Sequence, residues 1–121
     1  MNPERELAKA KDFDIQIEDH GIPVLSGYFD YEGGSAQGLG YFVDMAFVMR
    51  FMGVFGVEYL HRVEGKSCWV THTNDKILSI EPLHAKDGTP FVIQDWIDWN
   101  EEHPERNLSA YEMRTGKKSR A

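Results

Sequence analysis

The segment 13–31 has the sequence pattern of a β-hairpin, and no other feature restricts the fold of this chain as strongly. Phe13-Asp14-Ile15-Gln16-Ile17-Glu18 alternates strictly between apolar and polar residues, as strands with one buried face do. The turn residues Asp19-His20-Gly21 follow, and residues 22–31 are rich in β-branched and aromatic side chains. Two such stretches around a short turn predict an antiparallel pair, with Pro23 at the start or on the edge of its strand.

A second hairpin is predicted further along the chain. Residues 67–73 and 77–80 have strand composition and flank the turn 73–76, and Pro82 ends the second strand. Between the two hairpins, residues 57–63 suggest a short helical turn.

Residues 41–55 are the most apolar part of the chain, and they predict a helix over about 43–54 with Asp44 as its N-cap. Its apolar surface is so wide that we expect burial over most of its circumference. Met45, Met49 and Met52 are then core residues. The alternative is a partner-binding face, because methionine adapts to irregular surfaces.

A second helix is predicted over residues 93–103, with Pro104 ending it. Its apolar side contains Ile93, Trp96 and Ile97, which recur at helical spacing. These elements define the predicted fold class, α+β: a small antiparallel sheet of about four or five strands packed on one buried helix, plus a C-terminal helix. The other side of that second helix is strongly acidic, with Asp95, Asp98, Glu101 and Glu102.

The length of 121 residues predicts one domain with two loosely structured ends. Residues 1–11, in which Leu7 is the only large apolar residue, are predicted to be a flexible leader or a short helix. Residues 12–105 are the predicted α+β domain, and residues 106–121 a basic, mobile tail. Residues 1–105 carry 8 Lys and Arg against 19 Asp and Glu, whereas residues 106–121 carry five basic residues and one acid. An acidic body of this kind disfavours direct binding of nucleic acid.

The sequence lacks the residue patterns of several common active sites. Its single cysteine, Cys68, excludes an internal disulfide and a cysteine-based zinc site, and we expect a buried, inert thiol. Cys68 and His72 share a strand face but lie about 13 Å apart, too far to bind one metal ion. No Gly-x-Ser-x-Gly sequence is present to position a serine nucleophile. We therefore expect no catalytic residue, no cofactor and no metal site, and histidines at surface or boundary positions.

Four glycines fall within residues 32–40, which predicts a flexible loop or a bulged connection between strands. Gly33 and Gly38 have the spacing of a phosphate-binding loop, but Leu39 stands where that motif needs lysine. With its flanking aromatics, this loop suits contact with a protein. Together with the acidic side of the second helix it is the candidate partner-binding surface, formed by Asp95, Asp98, Glu101, Glu102, Gly34, Gln37 and Tyr41.

A spaced pattern across residues 53–83 resembles small hypothetical proteins of phages and prophages. The residues that carry it are Gly53-Val54-Phe55-Gly56-Val57, Leu60, Val63, Gly65-Lys66, Cys68-Trp69-Val70, Ile77, Ile80 and Pro82-Leu83. With the glycine-rich hairpin and apolar helix before it, the likeness covers residues 13–83, about 60% of the chain. The resemblance implies an accessory protein of a mobile element, in the cytoplasm of a bacterial host. No apolar run reaches the roughly 18 residues that span a bilayer, and no secretory apolar segment follows the polar residues 1–6, so no membrane partner is expected.

Three functional hypotheses follow from these features. The first is a non-enzymatic protein–protein interaction module that binds a host or phage protein, in one form as an acidic inhibitor of a nucleic-acid-handling or defence complex. The second is a homo-oligomeric structural or particle protein that uses the Met-rich helix as its interface. The third is a small-molecule binder or a modest hydrolase, with a pocket formed by the glycine-rich loop, Tyr28, Tyr41, Cys68 and His72.

Overall fold

The computed structural model describes residues 2–17, 23–42 and 45–102. Within these ranges the chain forms six strands, two α-helices and two single-turn 3-10 helices. The strands are β1 Glu4–Ile17, β2 Pro23–Tyr31, β3 Ala36–Phe42, β4 Ser67–His72, β5 Ile77–Pro82 and β6 Phe91–Val92. The α-helices are α1 Met45–Phe55 and α2 Ile93–Glu102, and the 3-10 turns are Leu60–Val63 and Ala85–Asp87. The predicted α+β class is confirmed.

All strand pairs are antiparallel, and the order across the sheet is β3-β2-β1-β4-β5-β6. Both predicted hairpins are present as β1–β2 and β4–β5. The sheet is larger than predicted, because β3 and β6 extend it at its two edges. The glycine-rich segment is not a loop: residues 36–42 form β3, and only residues 32–35 form the connecting turn.

The leader predicted over residues 1–11 is wrong, because residues 4–11 are the first part of β1 in the middle of the sheet. Residues 4–9 pair with β4, and residues 8–11 pair with β2. Main-chain hydrogen bonds on both sides hold this stretch as a strand despite its weak strand composition. The domain therefore includes these residues, whereas the predicted basic tail, 106–121, lies outside the described residues, as does Asp44.

A β-bulge divides β1 between Lys11 and Asp14. Asp12 takes a left-handed backbone conformation with φ 56°, and its N–H donates to the Glu64 carboxylate at 2.7 Å. The bulge turns the Phe13 ring inward over Gly27, where an added Cβ would lie 2.5 Å from the ring. Glycine at position 27 thus leaves the space that the Phe13 ring occupies.

The core lies between one face of the sheet and α1. Phe47, Phe51 and Val54 of α1 are almost completely buried. The Phe51 ring packs 4.8 Å from that of Phe13, and the Phe47 ring packs edge-on 5.0 Å from that of Phe91. Helical periodicity brings these α1 residues onto one side, and strand alternation brings their partners onto one face of the sheet.

The C-terminal end of α1 is held against the segment before β6. The Thr89 N–H donates to the Gly53 carbonyl at 2.9 Å. Gly88 lies so close that an added Cβ would be 2.1 Å from the Val54 carbonyl oxygen. Gly56 ends the helix in the left-handed region, with φ 63°. These contacts fix α1 relative to β6 and therefore relative to α2, which follows β6 directly.

Candidate functional site

One side of α1 is exposed, in contrast to the predicted burial of most of its circumference. Met45 is 68% exposed and Met49 is 66% exposed, so both were wrongly predicted as core residues, whereas Met52 is partly buried against the core. The reason is geometric: the phenylalanines of α1 form a single stripe that faces the sheet, and Met45 and Met49, four residues apart, share the other side. Two large apolar side chains therefore face solvent on one helix, which is the pattern of a contact surface.

A groove of about 410 Å³ lies between α1 and α2. Ala46 and Arg50 line it from α1, and Asp95, Trp96 and Trp99 line it from α2. Trp96 is anchored by an edge-on contact with the Phe47 ring, at 5.6 Å between ring centroids. Trp99 is 42% exposed, so part of its indole is accessible in the groove.

The acidic side of α2 is exposed as predicted. Asp95, Asp98, Glu101 and Glu102 are all classed as exposed, and no basic residue occurs in α2. The Gln94 side-chain amide donates to the Asp98 carboxylate at 2.9 Å, and Lys76 donates to the Gln94 side-chain oxygen at 3.0 Å. The four carboxylates thus form an acidic strip along α2, and Asp95 is the member of this strip that lines the groove.

The three candidate residues of the glycine-rich segment do not join this strip. Gly34 lies in the β2–β3 turn with φ 98°. Tyr41 lies on β3, where it pairs with Leu25 of β2. Strand β3 is at one edge of the sheet, whereas α2 follows β6 at the other edge. The single candidate surface predicted from the sequence is therefore divided between two places.

Gln37, the third of these residues, belongs to a polar cluster at the end of the sheet. Its side-chain oxygen accepts a hydrogen bond from the Tyr31 hydroxyl at 2.6 Å, and its amide donates to the Thr73 carbonyl at 3.1 Å. The Tyr31 ring stacks on the imidazole of His72, 4.4 Å between centroids and 12° from parallel. One side chain of β3 thus reaches the end of β4, three strands away, which shows that the sheet curls around its buried face here.

His72 is the centre of this polar cluster and is only 8% exposed, not at the surface or boundary as predicted. Its Nε2 lies 2.5 Å from a Glu6 carboxylate oxygen, and its Nδ1 lies 3.1 Å from the Thr73 carbonyl oxygen. Burial, followed by the negative charge of Glu6, raises the pKa of Tyr31, so its hydroxyl is neutral and donates to Gln37.

Sequence reasoning missed this cluster because Glu6 lies in the presumed leader, 66 residues from His72. The available signal was the position of His72 on β4, where it shares the buried face with Cys68 and Val70. Of the residues predicted to form a small-molecule pocket, Cys68 and His72 share the buried face of β4. Tyr28 is partly exposed and alternates with its inward-facing neighbour Phe29 on β2.

Cys68 is buried as predicted. Burial raises the pKa of its thiol to about 12, so the thiol is protonated at neutral pH. A protonated thiol without access to solvent is neither a nucleophile nor a metal ligand. Cys68 is therefore a core residue.

No protein family, curated protein or solved structure matches this chain. Among the described residues, no helix is long and apolar enough to cross a membrane. The described residues form two places with polar or charged groups that could bind a partner: the α1–α2 groove with its acidic strip, and the polar cluster around His72.

Proposed function

We propose that this protein is a non-enzymatic protein-binding module that docks a basic, apolar-faced helix of a partner protein in the α1–α2 groove. The observation that carries this function is an open apolar groove with Asp95 on its α2 wall and three further exposed carboxylates along α2. Helix-in-groove recognition uses this arrangement, with apolar anchors for affinity and flanking charges for specificity.

The apolar part of the groove suits anchor side chains of a partner. Trp96 and Trp99 line it, and tryptophan is among the residues that contribute most at protein interfaces. Met45 and Met49 extend the apolar surface along α1, where their flexible thioethers can adapt to a helix laid against them. A volume of about 410 Å³ is large enough for the anchor side chains of a partner helix.

The negative charge of the acidic strip on α2 specifies the chemistry of the partner. Asp95, Asp98 and Glu102 recur at spacings of three and four residues, so they project at intervals of about 4.5–6 Å along one side of α2. A partner helix with lysines or arginines at similar spacing complements them, whereas an acidic helix is repelled. Such a basic surface also binds phosphates, which supports the narrower form of the hypothesis: an inhibitor whose carboxylates take the place of nucleic-acid phosphates.

Tryptophan fluorescence gives a direct test, because Trp96 and Trp99 lie in the groove. Trp69 is distant from the groove on β4, and a Trp69→Phe background leaves only the groove tryptophans to report binding. The probe is a synthetic amphipathic helix of leucine and lysine, and the matched control peptide has every lysine replaced by glutamate. We expect saturable binding of the basic peptide, weakened at high salt, and at least tenfold weaker binding of the acidic peptide.

Charge-reversal variants locate the binding surface. The double variant Asp95→Lys/Asp98→Lys should weaken binding of the basic peptide at least tenfold, whereas Glu58→Lys/Asp75→Lys, which reverses two exposed acids outside α2, should change it less than twofold. Equal binding of both peptides, or equal effects of the two double variants, contradicts the proposed function. A concentration-dependent mass that Met49→Lys abolishes would contradict it as well, in favour of self-association through α1.

A further inference from the structure

We propose that Glu4, Glu6 and His72 bind a divalent transition-metal ion of the zinc class. This site is independent of the α1–α2 groove. The three side chains lie on the buried face of the sheet, where β1 begins and β4 ends. The register pairs Glu4 with His72 directly, and Glu6 is the next inward-facing residue along β1. One ligand atom from each residue lies within 4.8 Å of the others.

The imidazole of His72 is held in the orientation that a metal ligand requires. A backbone carbonyl oxygen only accepts hydrogen bonds, so the contact of 3.1 Å between Nδ1 and the Thr73 carbonyl places the proton on Nδ1. The contact between Nε2 and the Glu6 carboxylate oxygen holds a proton, which a bound metal ion would displace, so that Nε2 would bind the ion on the side of the two carboxylates. Metal-ligating histidines almost always donate their other ring N–H to a carbonyl or carboxylate in this way.

The Tyr31 ring fixes the plane of this imidazole. It stacks on His72 at 4.4 Å, and the Tyr31 hydroxyl is itself held by Gln37 at 2.6 Å. The rotation of His72 about its side-chain bonds is therefore restricted from three directions: the stacked ring, the Thr73 carbonyl and the Glu6 carboxylate. A preoriented ligand of this kind loses little conformational entropy when it binds an ion.

The donor set suits zinc and its neighbours in the first transition row. Imidazole nitrogen and carboxylate oxygens are ligands of Zn²⁺ at about 2.0–2.2 Å, whereas Ca²⁺ and Mg²⁺ favour oxygen ligands alone. Two ligand atoms of one tetrahedral ion lie about 3.3 Å apart at these bond lengths. The Glu6 oxygen, now 2.5 Å from Nε2, therefore has to move by less than about 1 Å, and its side chain is 29% exposed and free to do so. Three protein ligands, of which Glu4 is exposed to solvent, leave the fourth position of a tetrahedral ion to water.

Calorimetric titration of the chelator-treated full chain with ZnCl₂ tests the site, with Glu4→Gln as the main variant. Glu4 is exposed at the start of β1, so its replacement by the isosteric amide should not unfold the protein. Glu4→Gln and Glu6→Gln should each weaken Zn²⁺ binding at least tenfold, and Glu58→Gln, an exposed glutamate elsewhere, should leave it within twofold. Circular dichroism and the thermal midpoint of each variant confirm that the fold is retained.

Cobalt substitution provides a readout that a purely structural role of these residues would not give. Binding of Co²⁺ should produce the visible absorption of a four- or five-coordinate ion, reduced in Glu4→Gln and lost in His72→Ala. Absence of saturable binding at 1:1 stoichiometry, or binding that Glu4→Gln and Glu6→Gln leave unchanged, would overturn the assignment and point to adventitious binding by exposed histidines.

Discussion

The contact between Gly88 and the end of α1 is a sensitive point of the structure, and Gly88→Ala tests it. An added Cβ at position 88 would lie 2.1 Å from the Val54 carbonyl oxygen and 2.5 Å from the Gly53 carbonyl oxygen. Both atoms are backbone, so neither can move aside as a flexible side chain would. The end of α1 and the segment before β6 must therefore separate by more than 1 Å to reach an ordinary contact of 3.4 Å.

The expected loss in the free energy of unfolding combines two effects. Forced separation of well-packed elements costs about 1–3 kcal/mol. Separation also breaks the hydrogen bond from Thr89 to the Gly53 carbonyl, now 2.9 Å, at a cost of about 0.5–1.5 kcal/mol. We therefore expect Gly88→Ala to lower the free energy of unfolding by about 2–4 kcal/mol.

Urea denaturation followed by circular dichroism measures this change, and the same helix offers a matched control. Gly53→Ala adds the same methyl group where no atom lies within 4 Å, inside a helix where alanine is favoured. It should raise the free energy of unfolding by about 0.5–1 kcal/mol. Opposite shifts of the urea midpoint at an unchanged slope support the steric reasoning. A Gly88→Ala protein as stable as the wild type would refute it, because the close approach would then cost nothing.

Three further predictions concern the core and the outer face of the sheet. Because burial raises the pKa of Cys68 to about 12, from an ordinary value of 9.0, its contribution to stability is complete below about pH 9. Stability should then fall by up to about 1.4 kcal/mol per pH unit as the pH rises towards 12, and urea titrations of Cys68→Ala should lack this part of the decline. Phe51→Ala should cost about 3–5 kcal/mol in the same assay, because the ring is fully buried between the sheet and α1, and a loss below 1 kcal/mol would contradict that packing. Arg5→Ala should cost less than about 1 kcal/mol, since its contacts with Glu81 at 3.2 Å and with the Trp69 ring at 4.3 Å are at the surface, and thermal unfolding can detect a larger loss.

Alternation and helical periodicity predicted the elements whose buried side follows from their own sequence. Strand β4 alternates Cys68, Val70 and His72 inward, and α2 turns Ile93 towards the core, both as their sequence periods require. Ile15 and Ile17 share the inward side of β1 with Phe13, yet both are exposed, because the strand extends there beyond the packed core. Alternation indicates which residues share a face but not whether another element covers that face.

The first half of β1 could not be predicted from local sequence. Its inward residues include Glu4, Glu6 and Ala8 rather than large apolar side chains, so they give no signal of a buried strand. Pairing with β2 on one side and β4 on the other overrides this weak propensity. The His72 cluster was missed for the same reason, since its members meet only when β1 and β4 are side by side. The α1–α2 groove likewise depends on how two helices are placed relative to each other, which neither helix sequence determines.

The central position of β1 also has a consequence for folding kinetics. The register joins Glu4 to His72, 68 residues apart, whereas β1 and β2 are joined through a short connection. Closing a loop of about 60 residues instead of about 10 costs roughly 1.6 kcal/mol more in chain entropy. We expect β1–β2–β3 to associate early and the docking of β4 on β1 to limit the folding rate. During synthesis, residues 4–9 then present an unpaired strand edge until β4 has left the ribosome, and their alternating charges reduce aggregation through that edge.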